Sequence, residues 1–250
     1  MTLSMAAAGS SIGPRWTPLQ FGSSLILWLD GKDTGTIAAT SGRVTQWDDK
    51  SGKGNHATQT TASVRPSYTA GNEYVTFDVQ DYRLDTPISG STRTETALAV
   101  VRLTLGLINS TILGPSLAGG RQWRMSDVSP FSVSYLKSGV EVLHQGTTAV
   151  QTGSDAVFLS RASATEIRVG YNGNWSTGSN SVTLDGGSTT RIGARHNNNN
   201  QSLRGRIYEL FVTNSTMGDD DLRLAEGYLA HRWGLTADLP SDHPYKNIRP

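Results

Sequence analysis

No cysteine occurs among the 250 residues of this chain, which excludes a disulfide framework, thiolate nucleophiles and cysteine-ligated metals. Charge is scarce as well. The 22 basic and 21 acidic residues leave a formal net charge of +1, and charged residues make up only 17% of the sequence. So dilute and balanced a charge gives no basic footprint for nucleic acid and no pull toward an anionic membrane surface. Long apolar runs are missing: no segment approaches the ~20 residues needed to span a bilayer. The opening MTLSMAAAGSSIGPRW also lacks the basic start and apolar stretch of a secretory signal. We therefore expect no nucleic-acid partner and no membrane insertion.

The motifs of common chemistry are absent too. There is no P-loop and no dinucleotide fingerprint. The five histidines, His56, His144, His196, His231 and His243, show no zinc spacing. Gly9-Ser10-Ser11-Ile12-Gly13 has the letters of a nucleophile elbow, but neither a strand before it nor a helix after it.

What the chain does have is glycine, 27 residues of it, which together with sparse charge favours short strands joined by tight turns. Apolar residues recur at a period of two in Tyr74-Val75-Thr76-Phe77, Phe131-Ser132-Val133-Ser134-Tyr135, Val140-Glu141-Val142-Leu143 and Thr165-Glu166-Ile167-Arg168-Val169. Such alternation puts one face in a core and the other in water. Unbroken apolar runs at 25–29 and 97–101 predict central strands. Turn clusters such as Asn172-Gly173-Asn174 and Asp185-Gly186-Gly187 punctuate the pattern. Roughly eleven to thirteen strands are expected, enough for two packed antiparallel sheets.

One helix is predicted from Asp219 to Trp233, with Leu222, Ala225, Leu229 and Trp233 on one face and Gly234 as its stop. Thr216 with Asp219 fits a capping box, and three aspartates suit the positive end of the helix dipole. This helix should pack over a sheet edge or the end of the sandwich. Residues 1–20, rich in Ala, Gly, Ser and Pro, read as an anchoring arm, and residues 21–250 as one domain.

Several segments carry a family resemblance. They are Leu27-Trp28-Leu29-Asp30, the run from Trp47 through Asp49-Lys50-Ser51-Gly52 to Asn55-His56-Ala57, and Phe77-Asp78 with Asp81-Tyr82. Gly205-Arg206-Ile207-Tyr208-Glu209-Leu210-Phe211-Val212 and Glu226-Gly227-Tyr228-Leu229-Ala230-His231-Arg232-Trp233-Gly234-Leu235 complete the set. In this order they resemble the laminin-G-like branch of the concanavalin A-like lectin/glucanase domains. Val79 stands where members usually carry a turn glycine. The resemblance implies an all-β, two-sheet antiparallel jelly-roll sandwich with one C-terminal helix, the chain ends meeting inside it. Core packing is the expected role of Trp28, Trp47 and Trp233.

The glucanase branch of that superfamily carries paired glutamates on one strand. Here the six glutamates stand singly and no Glu-x-Asp occurs, so no enzyme activity and no catalytic residue are expected. No cofactor is expected either. Calcium is the metal the resemblance leaves open, with Asp48, Asp49, Asp78 and Asp81 as donors. Carbohydrate binding needs an aromatic to stack on a sugar, with amides and guanidinium groups around it. Tyr171, Asn172, Asn174 and Trp175 form the leading candidate cluster, and Arg121 with Trp123 a second. A third polar surface is the run Arg195-His196-Asn197-Asn198-Asn199-Asn200. Two roles fit Trp175: a sugar platform, or a cap on a sheet end or subunit contact.

Proteins resembling this one, with a Trp16-Thr17-Pro18 lead-in, are common among phage and prophage products. The expectation is a non-catalytic virion surface component, such as a head decoration, fibre or tail-associated protein. Its arm would hold other virion proteins and its loops would reach host surface glycans. A homo-oligomer is expected, trimers being common for such domains on viral surfaces. The alternatives are a bacterial surface or secreted carbohydrate-binding module and, behind it, a polysaccharide-degrading enzyme.

Overall fold

The computed structural model of the chain describes residues 15–89, 95–104, 110–116, 120–125, 130–137, 140–179, 189–195 and 202–250. Its strands, numbered in chain order, build two sheets in which every ladder is antiparallel. The first runs β1 (Leu25–Asp30), β16 (Gly205–Thr213), β7 (Glu95–Leu103), β12 (Asp155–Ala162), β13 (Glu166–Tyr171) and β14 (Asn174–Ser179). The short β5 (Val75–Phe77) also pairs with β16. The second runs β11 (Val140–Ala149), β10 (Pro130–Lys137), β9 (Gly120–Met125), β8 (Ser110–Pro115) and β15 (Thr189–Ile192). It continues through β6 (Leu84–Ser89), β4 (Ala57–Thr58), β3 (Arg43–Trp47) and β2 (Ile37–Thr40). The sixteen described strands exceed the number expected because pieces as short as β4 carry too little pattern to be read.

Two cores flank the first sheet. Ala97, Ala99 and Val101 of β7, with Ala156 and Phe158 of β12, enter the core shared with the second sheet. The alternate residues, Leu98, Val100, Val157 and Leu159, enter a second core under the helix α1 (Asp219–Trp233). Strands covered on both faces read as unbroken apolar runs, which is why 97–101 looked central and is. The run at 25–29 looked the same, but β1 lies at the sheet's edge. Its free edge is closed by the segment that follows β3. Trp28 N–H donates to Asp49 Oδ1 (2.9 Å), Lys50 N–H to Trp28 O (2.8 Å) and Asn55 Nδ2 to Ile26 O (2.7 Å). Covered edge and covered faces together imitate a central strand.

The helix spans the residues predicted and ends on Gly234 in the left-handed region (φ 74°). Its start differs. Gly218 is the N-cap and makes no side-chain cap, while Thr216 Oγ1 donates to Ala162 O (3.1 Å). The first-turn charge is used instead by Arg161, 3.0 Å from Asp219. The helix lies across the outer face of β7 and β12, not at an edge, because those central strands carry the apolar outer face it covers. The lead-in joins the same core: Trp16 meets Tyr228 edge-on (5.2 Å) and Phe21 lies 6.3 Å from Phe211. Trp16 and Pro18 of the expected arm are therefore seated on the sandwich, and 1–14 lie outside the described residues.

Four of the five segments that carried the resemblance converge on one buried polar network. A bulge in β16 between Ile207 and Glu209 turns both Tyr208 and Glu209 toward the helix. The Glu209 carboxylate, 0% exposed, accepts from Trp28 Nε1 (2.9 Å), Tyr228 Oη (2.9 Å) and Trp233 Nε1 (2.7 Å). Arg232 lies 3.1 Å from it and donates to both oxygens of Asp30 at 2.8 Å, and Lys50 reaches Asp30 at 2.8 Å. Residues 30, 50, 209 and 232 are thus one assembly, and two of the three tryptophans named as core packing, Trp28 and Trp233, also supply its donors.

Candidate ligand-binding cleft

The local sequence Tyr171-Asn172-Gly173-Asn174 makes a two-residue hairpin between β13 and β14, with Tyr171 paired to Asn174. Both central residues have positive φ, 46° at Asn172 and 78° at Gly173, the conformation that Asn-Gly adopts most readily in such turns. The tip is tied down from three directions. Asn172 donates its N–H to Val157 O and accepts from Val157 N–H through Oδ1, both at 2.8 Å. Arg223 of the helix donates to Gly173 O (2.7 Å). From the tail, Pro240 packs so close that a Cβ on Gly173 would sit 2.8 Å from its Cδ.

Beside this hairpin lies a cleft of about 310 Å³, lined by Thr148, Gln151, Ser154, Asp155, Tyr171, Asn172, Asn174 and Asp238. All eight side chains carry groups able to hydrogen-bond a ligand, and the volume is at the small end of the ~300–1,000 Å³ usual for ligand sites. Tyr171 is 8% exposed, stacked edge-on against Phe158 (5.2 Å), and its hydroxyl accepts the Gln151 N–H (3.3 Å). Burial raises the pKa of that hydroxyl, the Gln151 hydrogen bond opposes the shift, and the charge of Asp238 adds to it, so Tyr171 remains a donor. Asp155 is held by a two-pronged ion pair with Arg102 (2.7 and 2.9 Å). Asp238 closes the short turn Thr236–Asp238 after the helix, and no donor among the described residues pairs with its carboxylate.

Three of the expected site residues, Tyr171, Asn172 and Asn174, thus line one cleft. Trp175 does not join them. It is already on β14, where its Nε1 donates to the buried Glu226 (2.7 Å) and Arg223 and Arg168 sit 3.6 and 4.7 Å from its ring centroid. The ring buttresses the hairpin against the helix, the structural one of the two roles open to it. Trp123 is fully buried in the core between the sheets, because Arg121-Gln122-Trp123-Arg124 belongs to β9 and not to a loop. Arg121 pairs through its backbone with Tyr135, in the other sheet from Tyr171, and its side chain lies outside the described residues. Residues 196–200 of the third polar surface also lie outside them.

The four aspartates considered for calcium do not assemble. Asp49 is saturated as a turn organiser, accepting from Trp28 N, Ser51 N, Ser51 Oγ and Asn55 N at 2.7–2.9 Å. Asp48 faces Gln46 Nε2 (2.6 Å) and His56 (3.1 Å). Among the described residues no three His, Asp or Glu side chains come together as a metal site, so Asp78 and Asp81 add nothing to such a set. Thr148, Gln151, Ser154, Asp155 and Asp238 were not anticipated. They come from the ends of β11 and β12, the connection between them and the turn after the helix, none of which carries a motif, and only the Asn-Gly turn marked the place.

No family model matches the chain, and no curated protein matches it by sequence. Solved structures do. A sialidase of Trypanosoma rangeli superposes on 84% of this chain with a TM-score of 0.59 at 12% identity, and the match covers 33% of the sialidase. The binding domain of Paraclostridial Mosquitocidal Protein 1 superposes on 82% with a TM-score of 0.56 at 11% identity, over 52% of that protein's chain. The chain therefore corresponds to a third of the sialidase's length and about half of the mosquitocidal protein's domain. At such identities the likeness is one of fold, and the fold is an all-β, two-sheet antiparallel sandwich with one C-terminal helix.

Proposed function

We propose that the protein is a non-catalytic glycan-binding module, with the cleft between the β13–β14 hairpin and Asp238 as its site. The observation that carries the reading is the lining itself: eight hydrogen-bonding side chains around about 310 Å³, on a hairpin tied to strand, helix and tail. Hydroxyl, amide and carboxylate groups held in place before binding are what a polyhydroxylated ligand needs. The sandwich neighbours are consistent with this, the sialidase having been solved in complex with sialic acid. The cleft's two carboxylates are Asp155 and Asp238, and this reading gives neither a catalytic role. Asp155 is held by Arg102, and Glu209 and Glu226 are enclosed under the helix. The setting we propose is a virion surface, on the resemblance of the terminal motifs to phage sandwich domains. Copies displayed together would turn weak single contacts into useful avidity. The test is a glycan array probed with the full chain presented as a multimer, followed by calorimetry on the hits. Binding that is lost in Asn174→Ala supports the reading, and an array without hits overturns it.

A further inference from the structure

Resting on that reading of the cleft, we infer that its ligand is an uncharged saccharide whose adjacent hydroxyls are held by Asp238, and that acidic sugars are rejected. The argument is one of charge and hydrogen-bond capacity. Among the described residues the charged ones lining the cleft are Asp155 and Asp238, and no Lys or Arg lines it. Asp155 is neutralised by Arg102 and both its oxygens are engaged. Asp238 is exposed, and no donor among the described residues satisfies it. The cation beside its turn, Lys246, donates to the carbonyls of Thr236, Ala237 and Leu239, not to the carboxylate.

A ligand carboxylate, sulfate or phosphate entering here would face a like charge without a guanidinium or ammonium to receive it. At ~5 Å, with a dielectric between that of water and of a protein surface, that costs about tenfold or more in affinity. Neutral hydroxyls meet the opposite situation. The two oxygens of one carboxylate accept from two neighbouring O–H groups, and hydrogen bonds to an ionised acceptor are the stronger kind. Donors for the sugar's own oxygens stand opposite. The Tyr171 hydroxyl accepts from Gln151 and keeps its proton for donation. Asn174 makes only long contacts to Tyr171 O (3.5 Å) and Asn172 O (3.4 Å) within its own turn.

The experiment compares matched neutral and acidic saccharides, sialylated, sulfated and uronic, on one array, with affinities of the hits from calorimetry. Wild type and Asp238→Asn are measured in parallel, their melting temperatures confirming equal folding. Hits confined to neutral saccharides, weakened about tenfold or more in Asp238→Asn, are expected. Hits that require an acidic sugar, or an Asp238→Asn protein that binds as well as wild type, overturn the inference while leaving glycan binding intact. An array with no hits at all removes the underlying glycan reading instead, and this inference with it.

Discussion

Replacing Glu209 with Gln changes one atom type at the centre of the network that joins the chain ends. Burial raises the Glu209 carboxyl above the ordinary value and the charge of Asp30 adds to that, against Arg232 and the indoles. Yet its neighbours are donors: Trp28 and Trp233 can only donate, and so can Arg232. A protonated acid can aim its O–H at Tyr228, but an amide at either position turns an N–H toward a group that can only donate. With the amide nitrogen at the Oε2 position, Trp233 loses its acceptor. Flipped, it leaves Trp28 unsatisfied while Tyr228 can rotate. Either way an indole N–H is orphaned in a fully buried site, costing about 1–3 kcal/mol, and Arg232 loses a charged partner. The sum is about 3 kcal/mol. In a domain of this size, that lowers the melting temperature by about 6–12 °C. Calorimetry and urea melts at neutral pH measure it, with Glu73→Gln as a control at an exposed ion pair, where less than ~0.5 kcal/mol is expected. A loss below ~1 kcal/mol for Glu209→Gln would mean that Glu209 is already protonated in the native protein, and the account of the network would fail.

Four further outcomes are expected. Burial alone would raise the Asp30 carboxyl, but hydrogen bonds and charge from Arg232 and Lys50 outweigh it and hold it low. Its stabilisation is complete above the ordinary aspartate value and drains away as pH falls through the depressed native one. Wild type should thus lose melting temperature more steeply than Asp30→Asn between about pH 5 and 2, and parallel slopes would contradict this. Trp175→Phe keeps the ring but not the bond to Glu226, so stability should fall by about 1.5–3 kcal/mol while glycan affinity of the folded protein stays within about twofold. Loss of affinity without loss of stability would restore Trp175 as a platform. Gly173→Ala puts a Cβ at positive φ and 2.8 Å from Pro240, so urea melts should show at least ~1–2 kcal/mol of destabilisation. Asp49→Ala uncovers the edge of β1, and light scattering should then show association that rises with concentration, where wild type shows none from this cause.

The division between what could and could not be read from the sequence follows burial. Trp28, Asp30, Asp49, Lys50, Glu209, Arg232 and Trp233 stand far apart in the chain, yet each holds a donor or acceptor that its partners cannot do without. A buried polar network tolerates few residue types per position, so it leaves motifs that can be recognised. The alternation of β7 and β12 and the extent of α1 were readable for the simpler reason that period fixes face. The positions of Trp175 and Trp123 were not legible because loop-like neighbours hid the strands that carry them. Only residues 172 and 173 form the turn, and at 175 the chain is already a strand with its side chain under the helix. The edge position of β1 was hidden because hydrophobicity reports cover, and side-chain amides and carboxylates supplied that cover as well as another strand would.

The cleft left almost no trace, and its construction explains why. Its lining is polar and comes from the β11–β12 connection, one hairpin and the turn after the helix, where many residue types would leave the fold intact. Its geometry is held by a different set: Arg223 on Gly173 O, Glu226 on Trp175, and the tail against the hairpin tip. These holding residues belong to the same helix that carries Arg232 into the Asp30–Glu209 network. The helix therefore links the two ends of the arrangement, one end closing the chain termini and the other fixing the walls of the site. Residues at the rim can then change ligand preference without touching the network, whereas a lesion at Glu209 or Arg232 should loosen the helix and dismantle the cleft together with the fold.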